Sequence, residues 1–427
     1  MMDMPKPLVT LLGKAVKTAA ALRGGGSALP GLFVERIDKD YVRSTLSQLP
    51  QGVVLISGTN GKTTTTKMVV ELLEGQGLKV FTNRTGSNFT RGVAAALLGD
   101  VSLSGKLTAD IAVLELDEAH AVHFVKSVRP SYSLLLNVMR DQLDRFGEID
   151  KTAQLLQAVA EATTNRVVIN REDPRLLSLS LSLPSEKVSY FGLDESLTHL
   201  FPSDDAMRGG DAANGMPKPD AVAVLEAVDG QTATFRLGDK QSTATLQLDG
   251  VYNIYNAVAA ASLVSKILGD KLDHDKLVTS LANVTPAFGR GEKLTVGGQP
   301  LELVLVKNPG GFRLGLTSFD PAGWATMITI NDNYADGRDM SWLWDVEFDS
   351  LKSGGVSHVS GIRAYDMALR LQYDEVAVGS VEPSLTKSLH SFIEAHPDTP
   401  KRIYCTYTAM LALRRELSKI TKVSKVS

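Results

Sequence analysis

Val53-Val54-Leu55-Ile56-Ser57-Gly58-Thr59-Asn60-Gly61-Lys62-Thr63-Thr64 is the stretch whose reading decides the fold. Four consecutive apolar residues, three of them β-branched, read as a short strand buried on both faces. Two glycines then break the run, and apolar positions at helical spacing follow from Lys62 to Leu73. A glycine-rich turn between a strand and a helix is where backbone N–H groups can turn toward phosphate oxygens, at the positive end of the helix dipole. Lys62 is placed to reach the β- and γ-phosphates and Thr63 to offer a hydroxyl to Mg²⁺. The strict form of such a loop would put its first glycine at position 56, which is Ile56 here, so this is a variant loop opening at Gly58. Gly58, Thr59, Asn60, Gly61, Lys62, Thr63 and Thr64 are the expected nucleotide-binding residues.

Working outward, Ile111–Leu116, Tyr132–Val138 and Arg166–Asn170 read as further buried strands, with helical segments such as Lys151–Thr163 between them. Alternating strands and helices predict an α/β fold with a parallel sheet covered on both faces. From Leu193 to Asp220 the glycines and prolines multiply, which reads as an insert. Strands are expected at Ala221–Leu225, Thr232–Phe235 and Thr243–Leu248, then a helix over Tyr255–Ile267. A second α/β unit begins near Phe288, with strands at Leu301–Val306, Ala325–Ile330, His358–Ser360 and Arg402–Cys405. The expected organisation is a short helical segment over 1–49, a central phosphate-loop domain over 50–286 with its insert at about 193–220, and a smaller C-terminal α/β domain over 287–427. A length of 427 residues suits two or three domains.

Composition narrows the function classes. Hydrophobic residues are 43% and charged residues 22%, the balance of a globular protein. Lys and Arg number 45 against 48 Asp and Glu, a formal charge of −3 without the basic footprint of bulk nucleic-acid binding. One cysteine, Cys405, excludes an intramolecular disulfide and a cysteine-rich zinc site. It follows Tyr404 and precedes Thr406, with no adjacent glycine for a nucleophile turn, and reads as an inert buried thiol. No apolar run is long enough to span a bilayer, and Lys14 and Lys17 interrupt what would be a signal-peptide core, so a cytoplasmic location is expected. Residues 5–22 carry Leu8, Leu11, Leu12 and Val16 among Lys6, Lys14 and Lys17. Such a mildly basic amphipathic helix suits packing on its own domain, and also suits the inner face of an anionic membrane.

Two further clusters carry chemistry. Glu115-Leu116-Asp117-Glu118 ends a buried strand, where open α/β sheets bind ligands, and a carboxylate there can hold Mg²⁺. Asn137-Val138-Met139-Arg140-Asp141-Gln142-Leu143-Asp144 follows the next strand and gathers polar groups at the same edge. His120 and His123 read as early-helix surface residues and His199 as a surface residue, while Trp324, Trp342 and Trp344 read as core or interface packing.

In chain order, the loop, the acidic strand end, Asp141-x-Leu-Asp144 and Gly250-x-Tyr-Asn253-x-x-Asn256-Ala257 look like motifs of the Mur ligases and their folate-ligating relatives. Gly289-Arg290-Gly291-Glu292 and Lys307-Asn308-Pro309-x-Gly311 continue the series. The stretch Asn331-Asp332-Asn333-x-Ala335-Asp336-Gly337-Arg338-Asp339-x-Ser341-Trp342-x-Trp344-Asp345, with Ser360-Gly361-x-Arg363-Ala364-Tyr365-Asp366 and Thr406-Tyr407-Thr408-Ala409, resembles the C-terminal domain of the MurT family. These are the ligase-like subunits of lipid II isoglutaminyl synthase.

The resemblance implies ATP-dependent amidation of the D-glutamate α-carboxyl of the peptidoglycan stem peptide on lipid II, through an acyl phosphate, with ammonia from a GatD glutaminase. It implies that Lys62 and the loop hold phosphates, that Thr63 and Glu115 hold Mg²⁺, that Asn256 approaches the adenine and Arg290 the γ-phosphate. It implies that Asp345, or else Asp339, orients the histidine of the partner's glutaminase site. Three features depart from the wider family. Gln142 stands where amino-acid-adding ligases have a histidine; the position of their carbamylated lysine falls near Gln157, with Lys151 the nearest lysine; and the insert lacks the cysteines of a zinc ribbon, so no structural zinc is expected. The fifty or so residues before the loop are too few for a full UDP-binding domain, which fits a lipid-linked substrate. The competing readings are a nucleotide-binding scaffold that activates a glutaminase, and an amino-acid-adding Mur or folate-type ligase.

Overall fold

The computed structural model describes residues 6–22, 29–83, 90–140, 149–203, 217–248, 250–285 and 290–423, with the side chains of Lys6, Ala21, Leu22 and Arg290 outside the description. Asp141, Gln142 and Asp144 of the third polar cluster also lie outside the described residues.

Among the described residues, the first sheet is built from β1 (Val53–Ser57), β2 (Val80–Thr82), β3 (Ile111–Glu115), β4 (Tyr132–Leu135), β5 (Arg166–Asn170), β6 (Val188–Leu193), β7 (Ala223–Asp229), β8 (Thr232–Leu237) and β9 (Lys240–Thr245). Their order is β2-β3-β1-β4-β5-β6-β7-β8-β9. Every pairing from β2 to β7 is parallel, and β7–β8 and β8–β9 are antiparallel. The chain leaves β1 toward β2 at one edge, returns through β3, and crosses to β4 on the other side of β1 before continuing outward, so the connections from the neighbours β1 and β4 run in opposite directions. Ligands of open α/β sheets bind at such a switch point, outside the carboxyl ends of the strands.

Side-chain alternation distributes two cores. Val54, Ile56, Val113, Leu134 and Val168 face helices Lys62–Gly75 and Val251–Leu268, packing with Met68, Leu72, Ile254 and Val258. Val53, Leu55, Ala112, Leu114 and Ile169 face the other way, toward Val93 and Leu97 of helix Thr90–Asp100 and Leu156 and Val159 of helix Ile149–Ala162. Val9, Val34, Tyr41 and Leu46 of the first helices join this second core, so the N-terminal segment is packed against helix Thr90–Asp100. Burial on both faces is why these strands are continuous apolar runs.

The second sheet contains β10 (Arg290–Val296), β11 (Gln299–Leu305), β12 (Ala325–Thr329), β13 (Val356–Ser360), β14 (Val378–Glu382) and β15 (Lys401–Cys405), in the order β10-β11-β15-β12-β13-β14. It is parallel except for the β10–β11 hairpin. Phe312, Ile328, Trp342 and Phe348 fill one face, and Leu303, Met327, Phe392 and Ile403 the other.

Two expected strands are corrected. The one expected over Tyr132–Val138 ends at Leu135, because the backbone beyond it turns away to bond the phosphate loop. The one expected over Thr243–Leu248 is Lys240–Thr245, because the two-residue turn Gly238-Asp239, with Gly238 at φ +59°, fixes the register Leu237↔Lys240. No helix among the described residues is long and apolar enough to cross a membrane.

Candidate active site

Three adjacent strand ends build the site. The phosphate loop leaves β1, Glu115 ends β3, and Asn137 follows β4, with Ile56 level with Glu115 and Ser57 level with Leu135. Gly58 and Gly61 have φ of +135° and +87°, a backbone region that favours glycine. Space adds a second reason. A Cβ on Gly61 would stand 2.9 Å from the amide atoms of Asn256, and one on Gly58 would stand 3.0 Å from the Asn137 nitrogen.

The segment after β4 clamps the loop. Thr59 N donates to Asn137 O at 3.0 Å, Asn60 N to Asn137 Oδ1 at 2.8 Å, and Asn137 Nδ2 to Asn60 O at 3.0 Å. Met139 N donates to Thr59 Oγ1 at 3.0 Å. That segment is itself held by Asp173, a buried carboxylate that accepts from Val138 N at 2.6 Å and caps helix Pro174–Ser180 through Arg175 N and Leu176 N. Burial pushes the Asp173 carboxyl up to about 6, against the opposing pull of these donors.

Lys62 opens helix Lys62–Gly75 and is only 5% exposed. Its Nζ donates to Gly58 O at 2.5 Å and Thr59 O at 3.2 Å, and lies 3.4 Å from Glu118 Oε2. The ammonium therefore sits inside the loop. Thr63 Oγ1 donates to Glu115 Oε1 at 2.8 Å. Glu115 is fixed from behind, its backbone doubly bonded to the Asn83 side chain at 2.8 and 3.0 Å. A hydroxyl and a carboxylate oxygen thus meet one residue from the lysine, a hard oxygen pair suited to a small divalent cation.

A cleft opens beside the loop. Asn60, Gly61 and Asn137 form one wall, Tyr252, Asn253 and Asn256 another, and Lys307, Gly311, Leu314 and Phe319 of the C-terminal unit a third. The walls touch: Asn308 Nδ2 donates to Asn60 Oδ1 at 3.1 Å, and Asn308 Oδ1 accepts from Gly311 N at 2.7 Å as the N-cap of helix Pro309–Ser318. Of the residues named from sequence, Gly58 to Thr64, Glu115 and Asn256 are brought together here. Arg290 begins β10, its backbone level with Val304, while its side chain lies outside the described residues.

Asp345 and Asp339 are not among the residues lining the cleft. Asp345 closes the 3₁₀ turn Ser341–Asp345, in which Trp342 is buried and Trp344 exposed. Asp339 Oδ1 accepts from Ser341 N at 2.9 Å at the start of the same turn. Trp342 packs edge-on to Phe312, so it is core, whereas Trp344 packs against Tyr373 at the surface. Cys405 ends β15 fully buried, and burial pushes its thiol well up, as an inert thiol requires.

The sequence reading assigned no role to Glu118, Asn83 or Asp173. Glu118 is three residues from Glu115 in a run that was visible, but only the fold shows which of its carboxylates meets Lys62 and which meets Thr63. Asn83 and Asp173 sit at the ends of β2 and β5 with no motif around them that announces a role.

Two family models match the chain. The Mur ligase middle domain family matches residues 56–264 and the MurT ligase C-terminal family residues 305–410. The chain superposes on a pseudomurein peptide ligase type C from Methanothermus fervidus with a TM-score of 0.69 at 18% identity, covering 90% of this chain and 81% of that one. It superposes on MurF ligase from Thermotoga maritima in complex with ADP with a TM-score of 0.66 at 18% identity, covering 89% and 81%. Fold and family models together define a protein of the Mur ligase type. Over its whole length the chain is also 30% identical to the lipid II isoglutaminyl synthase (glutamine-hydrolyzing) subunit MurT of Streptococcus pneumoniae, covering 99% of each. The chain belongs to the MurT family.

Proposed function

We propose that this chain is the ATP-consuming subunit of a lipid II isoglutaminyl synthase. It activates the α-carboxylate of D-glutamate in the stem peptide of lipid II and converts it to the amide of D-isoglutamine, using ammonia from a GatD-type glutaminase. The observation that carries this reading is the convergence of Lys62, Thr63 and Glu115 on one glycine-bounded loop, in a chain whose sole cysteine is buried and inert toward glutamine.

A carboxylate is a poor acyl donor because its leaving group would be oxide. Attack of a carboxylate oxygen on the γ-phosphorus of ATP forms an acyl phosphate and releases ADP. The nitrogen lone pair of ammonia then attacks the carbonyl carbon, the C–O bond to phosphate breaks, inorganic phosphate leaves, and the extra N–H proton passes to solvent. Lys62 and the loop N–H groups hold the β- and γ-phosphates. Thr63 and Glu115 would hold Mg²⁺, which supplies charge neutralisation on the transferring phosphoryl group. Asn256, lying against Gly61, is assigned to the nucleotide, and Arg290 to the γ-phosphate. The third wall of the cleft, from the C-terminal unit, shields the acyl phosphate from water.

The surface around Asp345 supports a subunit interface. Tyr365, Leu369 and Tyr373 recur every fourth residue on helix Ala364–Tyr373 and are exposed, with Trp344 beside them at 5.2 Å from the Tyr373 ring. Exposed aromatic clusters are characteristic of interface cores. Asp345 within this patch is assigned to orient the partner's histidine. A membrane-bound substrate also fits helix Lys6–Leu22. Its inner side is buried at Val9 and Thr10, its outer side presents Leu8, Leu11 and Leu12 at 44%, 51% and 38% exposure, and it carries three lysines and no acid.

The test supplies the purified chain with ATP, Mg²⁺, lipid II and an ammonium salt, and reads conversion of the carboxyl to an amide by mass spectrometry. Parallel samples contain glutamine, with and without the glutaminase. Amidation with ammonium alone, and with glutamine only when the glutaminase is present, is the expected result. Nucleotide and partner binding without amidation from either nitrogen source would instead make the chain a scaffold.

A further inference from the structure

We infer that Arg370 is a positioning residue for the partner's glutaminase chemistry, a clamp that fixes the segment carrying Asp345. The inference rests on the proposed role of Asp345. Arg370 is buried on helix Ala364–Tyr373, beneath the exposed aromatic patch. Its Nε donates to Leu343 O at 3.2 Å and its Nη2 to Val346 O at 2.7 Å, the carbonyls on either side of Trp344-Asp345. Its Nη1 donates to Asp374 Oδ1 at 2.5 Å, and the other Asp374 oxygen accepts from Phe348 N at 2.8 Å. The guanidinium carbon lies 5.4 Å from the Trp344 ring centroid and 5.6 Å from that of Phe348. One side chain thus meets residues 343, 344, 346 and 348.

The chemistry explains why this device is an arginine. The segment Ser341–Phe348 is a 3₁₀ turn followed by irregular chain, with no sheet ladder to hold it. A carboxylate that must orient another subunit's imidazole has to be set to within a fraction of an ångström. A planar guanidinium can direct donors to two carbonyls and a carboxylate at once and still stack on a ring, whereas an ammonium cannot match that fork. Arg370 touches neither glutamine nor nucleotide in this arrangement and acts only through Asp345.

The test uses the reconstituted complex of the full chain with its glutaminase, in wild-type form and as Arg370→Met, Arg370→Lys, Asp374→Asn and Asp345→Asn. Complex formation, ammonium-driven amidation, glutamine-driven amidation and the pH profile of glutamine hydrolysis are measured. Arg370→Met is expected to leave assembly and ammonium-driven amidation intact and to lower glutamine-driven amidation by roughly tenfold or more, the scale of a misplaced positioning group. It should also move the acid limb of glutamine hydrolysis to lower pH, because a displaced carboxylate supports the imidazolium less. Asp374→Asn should give a smaller change in the same direction, and Arg370→Lys should fold normally yet recover glutamine use only in part. Equal loss with both nitrogen sources, or an unshifted pH profile, would overturn the clamp and leave Arg370 a structural residue. Should Asp345→Asn leave glutamine use intact, the assignment of Asp345 fails in its own arm, and the clamp falls with it.

Discussion

Asn308 donates from its side-chain amide to the side-chain oxygen of Asn60 at 3.1 Å, joining the phosphate loop to the C-terminal unit across 248 residues of sequence. Asn308 is fully buried and also caps helix Pro309–Ser318. Asn308→Asp retains the cap, since a carboxylate still accepts from Gly311 N, but places a negative charge against the phosphate loop. Its melting temperature should fall at neutral pH, because a fully buried carboxylate loses its hydration and faces the Asn60 oxygen, and the KM for ATP should rise by about tenfold. Asn308→Ala loses the cap as well, at about 1 kcal/mol of stability.

Lys62 and Glu118 form a buried ion pair at the mouth of the loop. Lys62→Met leaves the Glu118 carboxylate without that cation and should lower stability by about 3 kcal/mol in urea unfolding. Adding Glu118→Gln should restore most of the stability. Amidation should stay at least about a hundredfold down in both variants, because the phosphate contact proposed for Lys62 needs the ammonium itself.

Glu115→Gln preserves volume and an acceptor for Thr63, so the unfolding midpoint should barely move. The Mg²⁺ concentration for half-maximal amidation should rise, and the rate at saturating ATP should fall by about a hundredfold or more. A magnesium titration of initial rates measures both.

Asp173 carries a pH dependence whose sign follows from burial. Its folded carboxyl is raised from 3.8 to about 6, so the folded chain holds the proton more tightly than the unfolded chain does. The stability this contributes is fully present below about pH 4 and is lost as pH rises through 6, an amount of the order of 3 kcal/mol. Asp173→Asn should remove that part of the slope in denaturant titrations run from pH 4 to pH 7. At neutral pH it should also speed hydrogen exchange at Val138, whose N–H loses its carboxylate acceptor.

Leu11→Glu with Leu12→Glu charges the outward side of the first helix without touching its buried side. Flotation with vesicles containing phosphatidylglycerol should drop to the level seen with phosphatidylcholine vesicles, roughly a tenfold loss. Amidation of a lipid-free muropeptide should be unchanged.

Much of this was legible before the fold was known. The strands β1, β3 and β5 are continuous apolar runs because both of their faces are buried, and the phosphate loop declares itself by two glycines, a lysine and a threonine between strand and helix. Asn256 was legible through its motif, although contact with Gly61 was not. Short or half-exposed strands such as β2 and β14 left no periodic trace, since three residues or a solvent-facing edge carry too little pattern.

Local spacing in the chain determined the glycine-rich strand–turn–helix and the alternation of strands and helices, because each depends on residues within one turn or one strand of each other, and the order of motifs along the chain determined the family. Only the tertiary structure decided that Glu118 answers Lys62 while Glu115 answers Thr63, that Asn308 meets Asn60, and that Arg370 grips both sides of Asp345. Those pairings depend on directions set by strand order and helix packing, and a side chain's direction is not written in its neighbours along the chain.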